Sequence, residues 1–293
     1  MKAQVLRALL LSTVLSTVLS TVVGTPAAAE PLPARNTADV GPRGSWSVGV
    51  FNPLRFTPLE GVEFQTHPLA FFVAPNADAR IALLRSPLRL TLEAGLSLPT
   101  FGLRLTQGYL FPAWGTSDNT LGWMLIPRVG LLLSGNVTRQ GVWTLKADGA
   151  WRVPLGPDST TPLNSFLAPL DILLAAPLTG SCYRVGGAYD QALSRRLRLR
   201  GELNLYATGP QGRLVVSGAD VGPLAEVSPL IVTAHLGLDI AVARHSRFTV
   251  GVLWANADQG ATRVVTGSDG FSERERVRGN NIVPTLDFIW AGL

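Results

Sequence analysis

The chain has 293 residues, of which 46% are hydrophobic and only 15% charged, with 25 basic against 20 acidic side chains. A single cysteine, Cys182, excludes an intramolecular disulfide and a thiolate metal cluster, and the three histidines, His67, His235 and His245, stand far apart, so no cofactor is expected. The small charge excess gives no footprint for nucleic acid.

Residues 1–29 carry Lys2 and Arg7, then an apolar run from Ala8 to Val23, and end in Ala27-Ala28-Ala29. This is the layout of a secretory signal peptide with a small-residue cleavage site. Beyond it no uninterrupted apolar run reaches the ~18 residues that a membrane helix needs, although the mean hydropathy is positive. A transmembrane β-barrel reconciles the two facts, because its lipid-facing side is apolar while every second residue stays polar inside. Residues 30–44 are rich in Pro, Ala, Arg and Gly and are expected to form an extended, poorly ordered leader.

From Ser45 onward the period is two. Trp46, Val48 and Val50 share one side of a strand. After Asn52-Pro53, Val62 and Phe64 stand opposite Glu63 and Gln65 within Leu59 to Thr66, which together with the first strand suggests a hairpin. The run Leu54-Arg55-Phe56-Thr57-Pro58-Leu59-Glu60-Gly61-Val62-Glu63-Phe64 resembles the hairpin "LRYGLTDRLEL" of bacterial outer-membrane barrels, among them transporter-like proteins linked to the meta-pathway of phenol degradation. The likeness covers about eleven residues; Thr57-Pro58 replaces the Gly that follows the aromatic residue in those barrels. It implies the broad class of outer-membrane barrel, and no substrate.

Residues 67–76 do not alternate and carry prolines at both ends, which predicts a loop that dips into the bilayer edge or folds inward. Ala79 to Leu84, a turn at Arg85-Ser86-Pro87 and Leu88 to Leu98 form a pair, the second strand with six apolar positions in strict alternation. A long loop follows over 99–120. The next strand lies within Leu121 to Ser134, with Pro127 placing the start of regular pairing near Arg128. Val142 to Val153 then sets Trp143, Leu145, Ala147, Gly149, Trp151 and Val153 against Thr144, Lys146, Asp148, Ala150 and Arg152. Its tryptophans mark the two edges of an apolar band about 25 Å tall.

A second long loop over 154–180 precedes the strand with Tyr183, Val185, Gly187 and Tyr189 on one side, and its partner over 197–206. A third long loop spans 208–228. Leu230 to Val242 gives the longest apolar stripe, and Phe248 to Trp254 returns. Residues 257–281, with no lipid-facing pattern, are expected to form a hairpin reaching beyond the membrane. The chain closes with Leu286, Phe288 and Trp290.

Short turns and long loops alternate, as periplasmic turns and external loops do in outer-membrane barrels. Eleven strands are legible, and single-chain barrels have even numbers, so the expectation is about 12 strands, with 10 as the alternative. The missing strand is sought at Leu167 to Ala176 or before Ser45. The C-terminal alternation resembles the signal read by barrel-assembly machinery, although Leu293 is out of phase with Trp290.

The polar faces collect Arg89, Glu93, Arg128, Lys146, Asp148, Arg152, Arg184, Asp190, Arg198, Arg200, Glu202, His235, Asp239 and Asp287 as lumen-lining candidates. Signs are mixed, which suits cross-strand ion pairing better than a strongly anion-selective pore. His235 and Asp239 share the polar face but lie about 13 Å apart along a strand. No phosphate loop, H-E-x-x-H or G-x-S-x-G motif is present. The chain is therefore expected to be a non-enzymatic channel or solute transporter of the cell outer membrane, with outer-membrane lipid, the barrel-assembly machinery and a small solute as partners. Two alternatives stay open: an outer-membrane enzyme or lipid-handling barrel, and a structural barrel whose outer loops bind partners.

Overall fold

The computed structural model describes residues 32–71, 74–106, 122–156, 180–208, 213–216, 219–223, 230–266 and 272–292. Twelve antiparallel strands form one closed barrel: β1 (Trp46–Gly49), β2 (Leu54–Leu59), β3 (Val62–Thr66), β4 (Asn76–Leu84), β5 (Arg89–Ser97), β6 (Met124–Asn136), β7 (Gly141–Trp151), β8 (Ser181–Ala192), β9 (Leu197–Thr208), β10 (Leu230–Ala243), β11 (Ser246–Thr266) and β12 (Ser272–Gly292). Each strand pairs with its neighbours in sequence, and β1 closes the barrel on β12 from Trp46↔Gly292 to Gly49↔Ile289. Val153–Pro154 extends β7 against Met124 and Leu125. A separate hairpin, Arg213–Val216 with Ala219–Pro223, occupies part of the third long loop. Two helices, α1 (Pro68–Phe71) and α2 (Pro99–Thr106), lie within the expected loops.

The twelfth strand is β2. It lies at neither expected place: the alternation over Leu59 to Thr66 reads as one strand paired with the first, whereas a turn at Glu60-Gly61 divides it and Leu59 pairs with Val62. Gly61 has φ 81°, a left-handed conformation that glycine adopts without penalty. Of the two places considered for the missing strand, 167–176 lies outside the described residues. Of the residues before Ser45, the described ones, 32–44, form no strand.

Burial follows the period of two. On β7, Thr144 is 2% exposed and the adjacent Leu145 53%. The outer wall carries exposed Leu131, Val185, Leu203, Leu236, Val252 and Leu286, while the interior holds Arg80, Thr91, Asp190, Arg198, Arg200 and Asp239. Apolar outside and charged inside inverts the layout of a water-soluble domain and is that of a transmembrane barrel. At the rim, the Trp151 indole N–H donates to the Tyr183 hydroxyl at 3.0 Å, with the rings edge to face.

The connections after β1, β3, β5, β7, β9 and β11 share one end of the barrel, and those after the even-numbered strands share the other, with the start of β1 and the end of β12. All four expected long loops fall on the first end. Pro127 acts on one side only: β6 pairs with β7 from Arg128, but Ile126 and Pro127 already face Ser97 and Leu96 of β5. The wall is uneven, because β1, β2 and β3 have 4, 6 and 5 residues whereas β11 and β12 have 21 each. The last two pair as far as Thr266↔Ser272. At ~3.3 Å per residue and a tilt of ~40° they rise about 50 Å, roughly twice the apolar band.

The leader departs from its compositional expectation. Residues 32–44 are not loose; they cross the inside of the barrel, and Thr37 and Ala38 are each only 2% exposed. Asn36, with φ 53°, puts a bend in this segment, and Asn is among the few side chains that tolerate that conformation. A turn at residues 42–45, closed by Ser45 N–H to Pro42 O at 3.0 Å and Gly44 N–H to Thr57 O at 2.7 Å, returns the chain to the wall at β1.

Candidate functional site

Alternation on neighbouring strands brings the inward side chains into rows, and charges of opposite sign meet across them. The longest row runs over five strands. Arg55 on β2 stands 4.0 Å from Glu63 on β3, Glu63 2.7 Å from Arg80 on β4, Arg80 Nε 2.9 Å from Glu93 on β5, and Glu93 3.2 Å from Arg128 on β6. The Arg80 Nε contact is close but not aligned as a hydrogen bond. Each carboxylate in the row sits between two guanidiniums, which offsets the cost of taking it out of water.

On the opposite wall Lys146 of β7 donates to Glu202 of β9. Glu202 also accepts from Arg200 Nη2 at 2.6 Å, and Arg200 Nη1 reaches Asp190 on β8 at 3.2 Å. Asp148 and Arg184, register partners on β7 and β8, pair at 2.5 Å. Glycines leave room for these groups: a Cβ on Gly95 would lie 1.6 Å from Asp78 Oδ1. Gly251 similarly lies under the His235 ring, whose Nε2 would be 2.8 Å from a Cβ there.

The sequence candidates therefore all sit on inward positions but have different surroundings. Arg89 reaches Asp39 of the leader at 3.1 Å and Asn136 at 2.8 Å. Arg152 lies just beyond β7, with its own N–H on Gly180 O at 2.7 Å. Arg198 donates to Leu32 O at 3.1 Å. His235 bonds Thr285 Oγ1 at 3.0 Å, whereas Asp239 is held by both Nε (2.7 Å) and Nη2 (2.8 Å) of Arg35 and by Arg247 at 3.4 Å. The two residues that share a face thus serve different partners. Asp287 is turned to the wall: its carboxylate accepts the N–H groups of Val50 (2.8 Å), Phe51 (3.1 Å) and Asn52 (3.0 Å) and ties down the β1–β2 turn.

Sequence reasoning missed Arg35, Arg55, Glu63, Asp78, Arg80 and Arg247. Glu63 and Gln65 fall on a polar face in the sequence, but the short β2 and β3 show too little alternation to carry them into the lumen. Arg80 alternates correctly within Ala79 to Leu84 and was there to be found. Nothing in the sequence points to Arg35.

The leader divides the interior. On the side of the long-loop end lies a cavity of about 270 Å³, lined by Arg55, Asp78, Arg80, Glu93, Arg128, Lys146, Arg184 and Glu202, with Asn36 of the leader in its wall. On the other side a space of about 730 Å³ is bounded by residues 32–37 and by Ala243 to Arg247 near the short-turn end. The first cavity mixes five cationic with three anionic side chains, so it presents hydrogen-bond donors and acceptors to a small polar solute.

The fold and this interior define the class: a twelve-stranded transmembrane β-barrel with a charged, partly filled lumen. Among solved structures the chain is similar to OmpT, an outer membrane protein of Vibrio cholerae. The form expressed in the outer membrane has 10% identity and a TM-score of 0.42 over 82% of this chain and 64% of that one. The form folded in vitro has 8% identity and a TM-score of 0.41 over 84% and 64%. The present chain thus spans a little less than two thirds of those barrels. No family model and no curated protein matches it.

Proposed function

We propose that the chain is an outer-membrane channel or transporter for small polar solutes, exported by the signal peptide over residues 1–29 and inserted by the barrel-assembly machinery. The observation that carries this reading is the pair of cavities, about 270 and 730 Å³, on either side of the leader, with charged side chains lining the first. With both signs in the wall, the path favours neither cations nor anions strongly. The apolar outer wall supports a bilayer as its surroundings, and the alternation of Leu286, Phe288 and Trp290 on the last strand supports insertion by the assembly machinery.

Reconstitution into planar bilayers and solute-loaded vesicles tests the reading. Small conductance steps with weak ion selectivity, or flux of small polar solutes, are expected. A folded, inserted barrel that shows neither removes the transport function.

A further inference from the structure

The bonds that hold the leader have an unusual composition. Segment 32–39 is not part of the sheet, so its carbonyls need donors from elsewhere. The wall supplies them. Leu32 O accepts from Arg198 at 3.1 Å, Pro33 O from Arg247 at 2.9 Å, Arg35 O from Arg200, Thr37 O from Arg80, and Asp39 O from Arg80 at 3.4 Å. Thr91 Oγ1 donates to Ala38 O at 2.5 Å, and Ser134 Oγ accepts the Ala38 N–H at 2.8 Å. Four arginines from three strands, Arg80 on β4, Arg198 and Arg200 on β9 and Arg247 on β11, thus bond five main-chain oxygens. Arg35 adds the main side-chain anchor, a bidentate pair with Asp239.

We propose that this arginine belt is a binding site for the main chain of an extended peptide, and that the leader is its tethered occupant. Recognition through carbonyls reads the course of a backbone more than its side chains, so the site accepts peptides of varied sequence that offer a cation to Asp239. Pro33 suits such a ligand: its fixed φ favours extended backbone and its missing N–H leaves no donor unsatisfied. The turn at residues 42–44 is exposed and joins this occupant to β1, so the two can be separated by one cut. The site does not depend on conduction and stands even where no solute passes.

The test keeps the full chain. A protease recognition sequence is inserted after Arg43, the barrel is folded and then cut, and a fluorescent synthetic peptide of residues 32–43 is added. The expected result is saturable exchange of the cut leader for the labelled peptide. Uncut protein should take up no label. A peptide with Arg35→Ala should bind at least about tenfold more weakly, through loss of the bidentate pair. One with Ala34→Ser should bind within about threefold, because the Ala34 side chain supplies none of these bonds. Retention of the cut leader against excess peptide, equal labelling of uncut protein, or unchanged binding of the Arg35→Ala peptide would each overturn the proposal. Planar-bilayer recording on the same cut sample reports separately on transport.

Discussion

Arg80 shows how much one side chain can carry in this interior. It is 1% exposed and serves Glu63, Glu93 and the carbonyls of Thr37 and Asp39. Replacing it by alanine leaves Glu63 with Arg55 alone and Glu93 with Arg128 alone in a buried row, so Arg80→Ala is expected to lower stability by about 3–5 kcal/mol. Equilibrium unfolding of the vesicle-inserted barrel in guanidinium measures this. The exposed pair of Arg85 and Glu60 at the short-turn end is the control, since both side chains are more than half exposed. Arg85→Ala should change stability by less than about 1 kcal/mol. Asp287→Ala removes the acceptor of three N–H groups in the β1–β2 turn. It should cost about 2–4 kcal/mol in the same experiment.

Among the elements, β11 and β12 make the clearest separable part. The outward positions of β11 are apolar through Phe248, Val250, Val252 and Trp254 and turn polar at Asn256. The ladder nevertheless continues to Thr266↔Ser272. Replacing residues 258–278 by a short turn between the paired Ala257 and Gly279 should therefore leave unfolding unchanged within about 1 kcal/mol. The same contrast explains what was legible in the sequence. Strands such as β5 and β10 are long enough for alternation to declare both faces, so they and the four long loops were placed from sequence. β2 is six residues with Pro58 inside and a two-residue turn behind it, and its signal merged with that of β3. Helices α1 and α2 are too short to show a period of 3.6. The lumen could be anticipated from the charged positions of the longer strands, whereas its partner pairs depend on register, and Arg35 is bonded through a chain whose composition predicts disorder.

For the molecule as a whole, the leader turns an open cylinder into two compartments. Arg35 lies inside the wall with its guanidinium on Asp239, whereas Arg43 sits in an exposed turn. Limited trypsin treatment of the folded barrel should cut after Arg43 and spare Arg35, and mass spectrometry of the fragments decides it. Equal cleavage at both would mean that the leader spends much of its time outside the lumen.

The unequal height of the wall has a consequence for the lipid around it. Along β1, β2 and β3 the paired wall rises only about 10–15 Å, while β12, paired with β1, and β11 next to it exceed the apolar band. A bilayer of uniform thickness cannot match both sides, so it must thin locally along the short strands or the barrel must lean toward them. Phe51, Phe56, Phe64 and Phe71, all about half or more exposed, lie along that low side, where the mismatch is greatest. Thin membranes of short-chain lipid relieve this deformation, and the barrel should insert into them faster than into thick ones.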